Sequence, residues 1–145
     1  MEERVQQAVR YFKEGYNCSQ AVALAFADIY DLDQSMAARM ALPFGGGIGR
    51  MRETCGAACG MFLLTGLEKK TFNPKEASNK MDNYKIVQRL AAKFKETNGA
   101  LTCSELLDMR KNKDLQTIRV ATCDKIVENT ARIFAEYLLS KKEIR

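Results

Sequence analysis

Four of the five cysteines in this chain stand directly after an asparagine or a threonine: Asn17-Cys18, Thr54-Cys55, Thr102-Cys103 and Thr122-Cys123. Asparagine and threonine are favoured N-caps, so each pair reads as a helix start. The run Thr102-Cys103-Ser104-Glu105 adds the spacing of a capping box, with Thr102 and Glu105 satisfying each other's backbone donors. A cysteine in the first turn lies in the partial positive field of unpaired N–H groups, which favours thiolate and lowers the pKa. Because a thiolate is both a redox nucleophile and a metal ligand, Cys18, Cys55, Cys103 and Cys123 are candidate catalytic thiols. The same four could instead be the sulfurs of a zinc or iron–sulfur site. No histidine occurs, which excludes Cys/His nucleophile pairs, mixed Cys/His zinc sites and imidazole bases. Cys59 lies one helical turn beyond Cys55, where Cβ atoms are about 5–6 Å apart. A disulfide needs roughly 3.5–4.5 Å, so a direct Cys55–Cys59 bond inside a regular helix is disfavoured.

Just before Cys55 runs Gly45-Gly46-Gly47-Ile48-Gly49-Arg50. A Walker loop would require Lys and Ser or Thr after its last glycine, where this chain has Arg50 and Met51. A dinucleotide fingerprint would require a preceding strand, but the residues before Phe44 are helix formers ending in Pro43. The glycines are therefore expected to shape the approach to Cys55. Gly45, Gly46, Gly47 and Arg50 are the candidate ligand contacts, and Arg50 or Arg52 could hold a small anion or steady a thiolate. Gly56, Ala57 and Gly60 after the cysteine leave a helix with almost no bulk, open to close backbone packing.

Helical periodicity dominates the elements that must position these residues. Val5, Ala8, Val9 and Phe12 mark a first helix over 2–14, closed by Gly15. A more apolar helix follows Asn17, and a short third helix is stopped by Pro43. Another runs from about Thr54 to Gly66. Asn73 as cap and Pro74 as first residue predict a long helix over 74–97, with Met81, Tyr84, Val87, Leu90, Ala91 and Phe94 buried. A short helix after Thr102 and a last one over 122–140, burying Ile126, Val127, Ile133, Phe134, Tyr137 and Leu138, complete the set. The expectation is an all-α, single-domain bundle of about five to seven helices spanning 1–145.

With 145 residues, 46% of them hydrophobic and 28% charged, the chain has the composition of a globular protein with its own core. No apolar run approaches the roughly 20 residues of a spanning helix, and the charged, amphipathic N-terminus does not resemble a secretory signal. A cytoplasmic address is expected, where thiols stay reduced. The net charge of +5 could suit an anionic partner. Its bases are dispersed, however, with local clusters only at Lys69-Lys70, RKNK and SKKEIR and no interleaved aromatics, which disfavours nucleic acid.

The cysteine pattern resembles the redox-active protein family labelled C-GCAxxG-C-C. The central Cys-Gly-Ala-x-x-Gly element stands here as Cys55-Gly56-Ala57-Ala58-Cys59-Gly60, with Cys18 upstream in YNCSQAV and Cys103 and Cys123 downstream. The FGGGIGR loop also resembles this group, so the likeness covers nearly the whole chain. The resemblance implies a single helical domain, a set of four functional cysteines with Cys59 in a variable position, and a functional association with transporters. It implies no defined reaction, redox partner or small-molecule substrate.

Three functions remain open at this level. One is a thiol-dependent oxidoreductase in which Cys55 attacks and Cys18, Cys103 or Cys123 resolves through a disulfide, requiring no cofactor. A second is an all-cysteine metal or iron–sulfur protein. The third is a redox-responsive helical adaptor without catalysis, acting through a homo-oligomeric surface.

Overall fold

The computed structural model describes residues 1–111 and 122–144. Seven α-helices follow one another: α1 Glu2–Lys13, α2 Cys18–Phe26, α3 Gln34–Ala41, α4 Gly56–Thr65, α5 Ala77–Asn98, α6 Cys103–Lys111 and α7 Cys123–Ile144. Short 3-10 turns follow α2 and α3, and no strand occurs among the described residues. The all-α bundle expected from periodicity is the observed architecture. The basic clusters RKNK and SKKEIR fall partly outside the described residues.

Helix α2 is the central element, buried from Ala21 to Phe26 and packed on α1, α3, α4 and α7. Its start is held by a reciprocal capping box: Gln20 N–H donates to Asn17 Oδ1 at 2.9 Å and Asn17 N–H donates to Gln20 Oε1 at 3.0 Å. Asn17 Nδ2 also donates to the Leu42 carbonyl at 3.0 Å, tying this helix start to the loop that precedes the glycines. The core is completed by Phe26, Met61, Leu64, Phe94 and Phe134, all essentially inaccessible to water. Phe26 and Phe134 meet edge to face with centroids 5.0 Å apart, a favoured aromatic geometry.

Two expectations are corrected here. The long helix begins at Ala77, not at Pro74; Asn73 instead accepts from Lys75 N–H at 3.0 Å in a local turn. Only its second half is anchored, since Leu90 and Phe94 are buried whereas Met81 and Tyr84 are about half exposed. The periodic stripe is present, and Asn83 Nδ2 donates to Thr65 Oγ1 of α4 at 3.0 Å, but Met81 and Tyr84 themselves are left half uncovered. In addition, Thr102 Oγ1 is buried with no hydrogen-bond partner, so the capping box expected with Glu105 is not formed.

Candidate thiol site

The segments preceding α4 and α6 lie antiparallel. Cys55 N–H donates to the Leu101 carbonyl at 2.8 Å, and Cys103 N–H to the Glu53 carbonyl at 2.6 Å, around a single Thr54–Thr102 bridge. This pairing sets two cysteine-bearing helix starts side by side. The starts of α2 and α7 reach the same place: Cys18, Cys55, Cys103 and Cys123 all line one cavity of about 500 Å³. Four helix N-termini thus converge on one space. Cys18, Cys103 and Cys123 are the first residues of their helices, whereas Cys55 occupies the N-cap position of α4.

The glycine loop forms a wall of this cavity. From Gly46 to Arg50 every residue has φ between 56° and 74°, a continuous left-handed run that includes the β-branched Ile48. Such conformations cost L-residues roughly 1–2 kcal/mol each. Gly46 presents its N–H to the Cys18 sulfur. A Cβ on Gly47 would lie 2.6 Å from Cys103 Cβ, and one on Gly56 would lie 2.5 Å from Cys18 Sγ. Gly45, Gly46, Gly47 and Arg50 all line the cavity, and the absence of side chains at Gly47 and Gly56 is what lets the backbone close against two of the cysteines.

All five cysteines are free thiols, and their accessibility differs sharply. Cys55 is buried and its pKa is pushed up to about 12, by burial first and then by the facing charges of Cys18 and Cys103, against a smaller opposing effect of the Ala58 and Ala57 N–H groups. Burial likewise raises Cys18, with Cys123 adding like-charge repulsion and the Gly46 N–H opposing. The helix-start field expected to favour a Cys55 thiolate is thus outweighed at this position. The helix-start N–H groups act in the anticipated direction, but desolvation of a buried charge exceeds them. Cys123 is exposed and accepts from Arg110 Nη2 at 3.1 Å. Cys103, half-buried, accepts from Arg52 Nη1 at 3.6 Å. Arg52 thus meets Cys103 and not Cys55.

Cys59 lies outside the cavity lining; it is buried on α4, and its thiol faces the Thr54 carbonyl at 3.8 Å. Its pKa rises to about 11, chiefly through burial. Arg110 is the site residue that the sequence reading missed, having been counted only within a surface cluster. A signal existed: Cys103, Leu106, Leu107 and Arg110 are spaced i, i+3, i+4, i+7, and all four line the cavity from one face of α6.

Among the described residues no three Cys, Asp or Glu side chains are placed to hold a metal ion. No described helix is long and apolar enough to cross a membrane.

The family model described as "Putative redox-active protein (C_GCAxxG_C_C)" matches residues 16–137. The chain belongs to this family. The matched span holds all four cysteines and every described lining residue of the cavity except Phe12, so in this C_GCAxxG_C_C protein the residues that carry the resemblance are those that the fold gathers. No curated protein and no solved structure matches the chain.

The raised thiols imply a pH dependence. An acid whose folded pKa lies above its ordinary value holds its proton more firmly in the folded state, so stability falls as pH rises through the interval between the two values. For Cys55 that interval runs from 9.0 to about 12. Urea melts at successive pH values are expected to show stability declining above about pH 9, less steeply in Cys55→Ala. An unchanged slope in that variant would remove Cys55 as the source.

Proposed function

We propose that this protein is a thiol-dependent oxidoreductase of a reducing compartment such as the cytoplasm, exchanging its own dithiol for a substrate disulfide. Cys123 attacks and Cys18 resolves. The observation that carries this reading is the gathering of four helix-start cysteines around one cavity, with only Cys123 exposed and a guanidinium 3.1 Å from its sulfur. Arg110 Nη2 donates to the Cys123 sulfur, so the exposed thiol of the four is also held beside a cation. Cys18 is assigned as the resolving partner because it lines the same cavity as Cys123 and likewise stands at a helix start.

The Cys123 thiolate attacks one sulfur of the disulfide, breaking its S–S bond and releasing a first thiolate, which takes up a proton. Cys18 then gives up its proton and attacks Cys123 of the mixed disulfide, forming Cys18–Cys123 and releasing the second thiol. Two electrons and two protons pass from the protein dithiol to the substrate. The high pKa of Cys18 keeps it protonated until that step. Cys55 and Cys103 line the same cavity, their segments held side by side by the Thr54–Thr102 bridge.

Reduced protein treated with one equivalent of a small disulfide and then acid-quenched is expected to yield Cys18–Cys123 as its first intramolecular bond by peptide mass mapping. Oxidation that begins at Cys59, or that forms no intramolecular bond, would defeat this assignment.

A further inference from the structure

Resting on the thiol–disulfide reading above, we infer that the disulfide entering this cavity is a small molecule whose sulfur-flanking groups carry carboxylates. Arg50, Arg52 and Arg110 all line the cavity, and among the described residues its lining includes no Asp or Glu. The excess of positive charge is therefore local, unlike the dispersed bases elsewhere in the chain. Four helix N-termini open on the same space and add partial positive charge of the same sign. The nearest acid in sequence to Cys123, Asp124, is outside the lining and accepts from the Thr122 hydroxyl.

The cavity volume, about 500 Å³, lies in the range of small-molecule sites and well below what a folded protein partner would need to insert. Phe12, Leu106 and Ile126 supply an apolar surface for the carbon and sulfur of such a ligand. Two of the arginines touch the thiols, Arg52 at Cys103 and Arg110 at Cys123. A guanidinium presents five N–H donors in a fork matched to a carboxylate, so a group already beside a thiol can also seat an acidic arm next to the reacting sulfur. Arg50 is exposed at the rim and makes no ion pair with a carboxylate among the described residues. The inferred chemistry is the exchange described above, in which both released thiols carry a carboxylate and leave protonated on sulfur.

The test uses three small disulfides of similar length: dianionic dithiodiglycolate, neutral hydroxyethyl disulfide and dicationic cystamine. Each rate with the reduced full-length protein is divided by the rate of the same disulfide with dithiothreitol, which removes intrinsic reactivity. Dithiodiglycolate is expected to lead hydroxyethyl disulfide by about tenfold at low salt, with cystamine slowest, and the lead should shrink as salt screens the arginines. Arg50→Gln is expected to reduce that lead by about threefold. Thiodiglycolate, a thioether that cannot exchange, is titrated in parallel by NMR and should bind saturably and more weakly to the variant. Equal normalised rates for the anionic and neutral disulfides, without saturable thiodiglycolate binding, would overturn the inference and leave the thiol–disulfide reading standing. Saturable binding with no reaction of any disulfide would do the reverse, sustaining the carboxylate site and defeating the redox reading. Neither binding nor reaction would overturn both.

Discussion

Cys123→Ser is expected to slow the reaction of the reduced protein with a small disulfide by about a hundredfold or more, because it removes the attacking sulfur while leaving the fold intact. Cys123 is exposed, so the change opens no cavity in the core. The remaining thiols do not substitute well. Burial pushes the Cys55 thiol up to about 12, which keeps it protonated near neutral pH, and Cys18 is also raised by burial. Cys18→Ser should behave differently: the first step proceeds, and the protein accumulates as a mixed disulfide visible by intact mass. Stopped-flow rates and quenched mass spectra of the two variants separate the roles. Wild-type kinetics in Cys123→Ser would move the attacking role to Cys103, the other thiol beside an arginine.

The second large effect falls on stability. Gly60→Ala is expected to destabilise the protein by roughly 2–3 kcal/mol, the cost of overpacking a close contact, lowering the midpoint of thermal unfolding by about 6–9 °C for a domain of this size. Its added Cβ would lie 2.5 Å from the Ser19 carbonyl oxygen and 3.1 Å from Ser19 Cα, so the obstacle is the backbone of α2 and no side chain can rotate away. Helices α2 and α4 must separate, and with them Cys18 and Gly56. Gly66→Ala is the matched control: Gly66 has helical dihedrals, and its Cβ would meet nothing closer than the Leu63 carbonyl at 3.5 Å. It should be neutral or slightly stabilising. A variant at Gly60 that melts with the wild type would show that α2 and α4 tolerate more separation than their contact suggests.

Much of this was legible from local chemistry. N-cap residues placed before cysteines marked helix starts at Cys18, Cys103 and Cys123, and within a residue at Cys55. Periodicity located the buried residues of α1 and α7, because an apolar face repeating every three to four residues admits only one helical orientation toward a core. The same logic failed over the first half of α5. Met81 and Tyr84 have the right spacing, yet periodicity states which face is apolar and says nothing about whether a neighbour covers it.

The sequence by itself determined an all-helical chain, the helix starts that carry four thiols, and the glycine loop beside one of them, since capping, periodicity and left-handed turns are decided within a few residues of chain. Only the tertiary structure decided which thiols meet, through the Thr54–Thr102 bridge and the convergence of four helix ends. It also decided how buried each sulfur is, because the field of a helix end acts over one turn of local chain whereas desolvation depends on everything packed around the sulfur. Cys55, well placed by its own sequence, is buried by the rest of the fold; Cys123, with the same Thr-Cys start, is left open to solvent beside Arg110.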